Sequence, residues 1–145
     1  MKKNLKLMLV TLGSICAMAM TSLAGNWVSD GTGGWWYVNA DGTYGIRRTS
    51  AECPQVDGTY TFTSGLKEGV GNFYSIEPEF QTIVLMRKDP ETITVLINNQ
   101  LDDFVLTEET MYWNEGGNGT IGLEVYDNGT LDLYLENRNT YTKVQ

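Results

Sequence analysis

Histidine is absent from the 145 residues, which removes both the usual general base and the imidazole metal ligand. Chemistry would then fall to carboxylates and aromatic rings. Acidic pairs occur at Asp102-Asp103, at Glu108-Glu109 and at Glu77 with Glu79, and two carboxylates in unlike environments can run glycoside hydrolysis. Each pair stands in or beside an expected turn, where acids are ordinarily solvated. Glu77 and Glu79, close to Tyr74 and Phe80, are the pair to inspect for a cleft. Asp127-Asn128-Gly129-Thr130 opens like a calcium loop but lacks the alternating oxygen ligands and closing acid that such a loop needs. The chain has no Gly-x-Ser-x-Gly, phosphate-loop or dinucleotide pattern, and no histidine to activate its many Ser and Thr hydroxyls. The sequence therefore assigns no catalytic residue, no metal site and no cofactor.

The aromatic residues are distributed less evenly. Three of the four tryptophans fall within residues 25–44, in Gly25-Asn26-Trp27 and Trp35-Trp36-Tyr37, and the stretch closes on Asn39-Ala40-Asp41-Gly42. Flat, electron-rich ring faces stack on sugars or hold a quaternary ammonium, at ~0.5–2 kcal/mol per ring. Trp27, Trp35, Trp36 and Tyr37 are accordingly the candidate stacking residues. The stretch resembles one copy of the cell-wall-binding (choline-binding) repeat, with Trp27 as its opening aromatic, Trp35-Trp36-Tyr37 as its triplet and Asn39-Ala40-Asp41-Gly42 as its turn. That resemblance implies a short hairpin and a partner such as a cell-wall polysaccharide or a choline-bearing polymer. Sites in such repeats form between neighbouring copies, and this chain has Arg47-Arg48 where a second Gly-Trp would stand. The competing reading places the same rings in the first hairpin of the following β-domain, or as a plug at one end of its barrel.

The elements that must position these residues are short strands. Thr59 to Thr63 alternates, placing Tyr60 and Phe62 on one face. Phe80 to Met86, a turn at Asp89-Pro90-Glu91 and Thr92 to Ile97 read as a hairpin, with Asn98-Asn99-Gln100 ending the second strand. Phe104 to Leu106 and Met111 to Trp113 follow. Gly119 to Tyr126 and Thr130 to Glu136 alternate around Asp127-Asn128-Gly129, where Asn-Gly suits a type I′ turn. Ile121, Leu123, Val125, Leu131, Leu133 and Leu135 should face inward, and Gly122, Glu124, Asp132 and Glu136 should face water. A last strand covers Thr140 to Val144, and Ser75 to Phe80 has room for one helical turn.

The expected fold is all-β: a small antiparallel meander of about eight strands, closed as a barrel or packed as a sandwich, with the aromatic hairpin before it. Closure removes sheet edges that would otherwise pair with other chains. Starting from Gly58-Thr59-Tyr60, the pattern resembles small lipocalin-like barrels, which implies the alternative function of a small-ligand carrier or a protein-docking or inhibitor domain. A carrier of that kind needs an internal cavity of at least ~300 Å³.

The ends and the charge set the context. Lys2, Lys3 and Lys6 precede an apolar run from Leu7 to Met20, which leads into Ser22-Leu23-Ala24; this is the layout of a secretory signal peptide. The organisation expected is a leader helix over 1–24, an aromatic segment over 25–50 and a β-domain over 51–145. After cleavage the protein is expected to be secreted, with wall association implied by the repeat resemblance, no further membrane span and Cys53 as its remaining, passive thiol. Residues 25–145 keep all 18 acids and seven of the ten basic residues, a net charge of −11, which disfavours nucleic acid and anionic surfaces. The partner is then a wall polymer or another envelope protein.

Overall fold

The computed structural model describes residues 25–114 and 121–145; the expected leader lies outside them. The chain forms two compact units, one ending at Pro54 and one starting at Gln55. Both are built from antiparallel strands, and the fold is all-β.

The first unit is a three-stranded sheet in the order β1 (Asn26–Ser29), β2 (Gly34–Val38), β3 (Tyr44–Thr49), followed by one 3-10 turn at Ser50–Glu52. The expected hairpin is thus extended by a third strand. Both of its turns are Asp-Gly-Thr. Gly31 and Gly42 take φ of 79° and 89°, a region open to glycine without the steric cost a Cβ brings, and each Asp side chain accepts bonds from the Thr two residues on.

The second unit is a closed antiparallel barrel. Its strands are β4 (Gly58–Lys67), β6 (Thr82–Asp89), β7 (Thr92–Ile97), β8 (Gln100–Glu108), β9 (Met111–Asn114), β10 (Gly122–Val125), β11 (Thr130–Tyr134) and β12 (Arg138–Lys143), with β5 (Gly71–Phe73) folded back on the end of β4. Sequential strands are neighbours, and β12 closes the ring on β4 from Arg138↔Leu66 to Lys143↔Tyr60. Barrel and not sandwich is therefore the outcome. Register shifts at Arg87/Asp89, Leu106/Glu108 and Thr140/Tyr141 supply the local bends that a small barrel requires. A 3-10 turn at Pro78–Phe80 stands where one helical turn was expected.

The interior is filled. Tyr60, Ile83, Leu85, Ile93, Val95, Tyr112, Leu123, Leu131, Leu133 and Tyr141 are all at most 1% exposed, and Phe62 lies between Phe73, stacked at 6.0 Å, and Tyr141, edge-on at 5.7 Å. Burying a ring or branched side chain of this size is worth ~1.5–3 kcal/mol, so these residues dominate the stability of the unit. Side chains occupy the space that an internal ligand would need.

Four sequence expectations are corrected. Leu135 is exposed, because β11 ends at Tyr134 and Leu135 already belongs to the turn, its N–H bonded to the Asn137 carbonyl. Asp132 and Gly122 are buried although they point outward: Tyr126 and Thr140 hydroxyls cover the carboxylate, and the Trp113 ring lies over the glycine. The turn at Asp127-Asn128-Gly129 is not type I′. Only Gly129 has positive φ, and the Tyr126 N–H to Thr130 carbonyl bond spans three loop residues, the form of a type I turn with a glycine bulge. The two adjacent positive-φ residues that type I′ requires are Asn98 and Asn99, at 53° and 58°, joining Ile97 to Gln100. Finally, Asp102 and Asp103 sit within β8 and not at a turn.

Candidate functional site

Strand alternation decides what the four candidate rings can do. Trp27 and Tyr37 are cross-strand partners on one face of the small sheet, in edge-to-face contact with ring centres 5.1 Å apart. Trp35, two residues before Tyr37, shares that face. All three are half-buried, and the Tyr37 hydroxyl accepts the Gly25 N–H at 3.0 Å. The Trp27 indole N–H is buried with no acceptor among the described residues, a group whose desolvation costs ~1–3 kcal/mol. Trp36 takes the opposite face, so the four residues do not form one platform.

On Trp36's face the sequence reading missed the partners. Tyr44 lies diagonal to Trp36, paired in register with Val38, and the two rings meet edge-to-face at 5.7 Å. Tyr44 is 69% exposed, Trp36 36% and Val28 45%, and Val28 is the β1 residue opposite Trp36. The three form a continuous exposed apolar strip. A signal for Tyr44 was present: it follows the Asp41-Gly42-Thr43 turn directly, and a tight turn returns the next strand beside the previous one.

Arg47 stands opposite Trp36 in register and is held by an ion pair to Asp30 from the far turn. Its Nε donates to Asp30 Oδ2 at 2.9 Å, its Nη2 donates to the same oxygen, and Nη2 also reaches Thr32 Oγ1 at 3.4 Å. Asp30 Oδ1 meanwhile accepts the Thr32 N–H and hydroxyl, both at 2.8 Å, and the Gly34 N–H at 3.1 Å. The backbone bond from Thr32, then the Arg47 guanidinium, hold this carboxyl far below the usual carboxylate range. The Asp41 carboxyl is likewise lowered, by the Thr43 hydroxyl and N–H. Both turns are thus pinned by ionised side chains, and the aromatic strip sits on a braced frame.

The acidic pairs do not converge on a cleft. Glu77 and Glu79 are exposed at the 3-10 turn, and Glu108 and Glu109 are exposed at the end of β8. Asp103 pairs with Lys88 at 2.6 Å and accepts the Thr94 hydroxyl at 2.8 Å. Another pair, unnoticed in the sequence, lies on the outer wall of the barrel: Glu124 and Asp132 are direct cross-strand partners. Like charges in that position are ordinarily unfavourable. Four hydroxyls offset the cost, with Tyr134 and Thr110 donating to Glu124 and Tyr126 and Thr140 donating to Asp132. Burial, then the neighbouring carboxylates, push the Tyr126 and Tyr134 hydroxyls above the ordinary tyrosine value, so they remain donors. This is a sheet-bracing network with its oxygens already engaged.

An open groove of about 610 Å³ lies at one rim of the barrel, where Leu66 and Val70 face Leu135 between Lys67, Glu136 and Arg138. It is a surface feature, separate from the filled interior. Cys53 is buried, its thiol 3.5 Å from the Thr49 carbonyl. Among the described residues no three of His, Cys, Asp and Glu gather as metal ligands, and no helix is long and apolar enough to cross a membrane. No protein-family model, curated protein or solved structure matches the chain. What the molecule offers chemically is therefore read from its own surfaces, of which the Trp36–Tyr44 strip is the most developed for stacking.

Proposed function

We propose that this is an exported, non-catalytic binding protein that holds a cell-wall or related glycan through the exposed aromatic strip of its small sheet. The observation that carries the reading is the exposed Trp36–Tyr44 pair, on a face where Asp30 and Arg47 fix the strands that present it. Contiguous exposed apolar side chains rimmed by polar groups are a common mark of a binding surface. Two rings at ~0.5–2 kcal/mol each give a weak site, about millimolar at its tightest for one copy, which gains strength on a repeating polymer. The leader-like segment and the acidic net charge support a setting outside the cell and a partner other than nucleic acid. Carriage of a small apolar ligand inside the barrel finds less support, since Tyr60, Tyr112, Tyr141 and their aliphatic neighbours occupy the interior.

The test is titration of the protein with soluble peptidoglycan, short glycans and choline while following tryptophan emission. Trp113→Phe removes the one tryptophan of the barrel unit, so that the change reports the small sheet. Saturable quenching or a blue shift that disappears in Trp36→Ala is the expected result. Unchanged emission with every ligand would move the assignment to a protein-docking role.

A further inference from the structure

We infer that the Trp36–Tyr44 strip selects a neutral glycan, a pyranose ring lying on Trp36 with a hydroxyl oxygen accepting from Arg47 Nη1; this rests on the glycan reading above and narrows its ligand class. The guanidinium is oriented before any ligand arrives, because its Nε and Nη2 are both anchored on Asp30. The bonds of Arg47 to the described residues run from Nε and Nη2, and its side chain, on the face shared with Trp36, stays 35% exposed. A donor fixed in this way loses little freedom on binding. A planar aromatic face beside a fixed N–H donor fits a sugar, which offers an apolar C–H face and a rim of hydroxyl acceptors.

The same geometry argues against the two charged alternatives. A quaternary ammonium is held by several rings enclosing the cation, helped by a nearby carboxylate. Here the rings of Trp36 and Tyr44 meet edge-on, and a permanent cation stands opposite the tryptophan. The carboxylate that would balance a second cation, Asp30, is already engaged by Thr32, Gly34 and Arg47. An acidic polymer is opposed by the net charge of −11 on residues 25–145, which acts on the polymer segments that come within the ~8 Å screening length of the surface.

The experiment titrates the full chain bearing Trp113→Phe with four probes: chitotetraose and cellotetraose as neutral glycans, tetragalacturonate as an acidic one, and choline. Neutral oligomers should bind in the millimolar range, with affinity little changed by added salt. Trp36→Ala and, independently, Tyr44→Ala should weaken them at least several-fold, circular dichroism confirming that the strands persist. Arg47→Lys keeps the charge that pairs with Asp30 but lacks Nη1, and should weaken the neutral glycans several-fold while leaving choline undetected. Tighter binding of choline or tetragalacturonate that still requires Trp36 would overturn the neutral-glycan inference and leave the aromatic site standing. No binding of any probe, or binding indifferent to both Trp36→Ala and Tyr44→Ala, would overturn the site itself.

Discussion

At the scale of single residues, two aspartates respond to pH in opposite directions. The Asp30 carboxyl is lowered, with its Thr32 and Arg47 bonds made to the charged form. Its contribution is therefore present above the unfolded value of ~3.9 and lost as pH falls through the lower folded value. Asp30→Ala should lower the melting midpoint of the small sheet at pH 7, followed by tryptophan emission in the Trp113→Phe background. The difference from the parent should shrink only well below pH 4; a difference unchanged across that window would remove Asp30's charge from the account. Asp89 behaves otherwise, because burial raises its carboxyl against the opposing bonds from Glu91 and Thr92. Its neutral form suits the fold, and stability is lost as pH rises through the folded value. Asp89→Asn keeps an oxygen for the Glu91 N–H, which now donates at 2.8 Å. It should raise the barrel's midpoint by a few degrees at pH 7 and have no such effect near pH 3. A midpoint lowered at pH 7 would mean that the charged form is the one the barrel prefers.

At the scale of elements, glycine–aromatic pairs bind neighbouring strands. Gly65 faces Phe73 in register, and a Cβ at Gly65 would collide with the Phe73 ring. The ring also stacks on Phe62, and making room would break that contact, so Gly65→Ala should cost ~1–3 kcal/mol, the usual range for overpacking. Gly122 is less strict: its Cβ would meet the half-buried Trp113 ring at 3.2 Å, and Gly122→Ala should be the milder change. Denaturant titration of both variants checks the order, and equal losses would show that the closeness of the added Cβ to the ring does not set the cost. Element boundaries themselves were partly legible. The alternation of Leu123 with Val125 and of Leu131 with Leu133 placed all four inside the barrel, and all four are buried. The turn type at Asn128-Gly129 was not legible, since dipeptide chemistry permits two loops and the Tyr126–Thr130 bond selects the longer.

At the scale of the whole molecule, the hydrophobic core of the described residues runs from Val56 to Tyr141, and every strand of the ring begins after Asp57. Residues 55–145 should therefore fold alone, with strand-type circular dichroism and one cooperative transition; a disordered product would show that the barrel depends on the first unit. The same barrel should weaken in alkali. Burial pushes the Tyr141 hydroxyl up to about 12, so its neutral form is favoured in the fold, and that stability is lost as pH rises from the unfolded value of ~10 through the folded one. The Tyr141 hydroxyl donates to the Phe80 carbonyl at 2.8 Å, and Tyr141→Phe should remove part of this alkaline limb.

The sequence by itself determined the properties that depend on neighbours along the chain. Period-two alternation marked the strands, Asp-Gly, Asn-Gly and Asp-Pro marked turns, the absence of histidine removed one class of chemistry, and the tryptophans of residues 27–36 marked a surface to examine. Contacts between distant residues decided the rest. Pairing of Arg138–Lys143 with Tyr60–Leu66 made the strands a barrel and not a sandwich. Consecutive Trp35 and Trp36 had to point to opposite faces, but only the pairing of β2 with β3 put Tyr44 and Arg47 beside Trp36. Asp30 is 17 residues from the guanidinium it holds. Register and closure are set by which strands meet, and no local pattern carries that information.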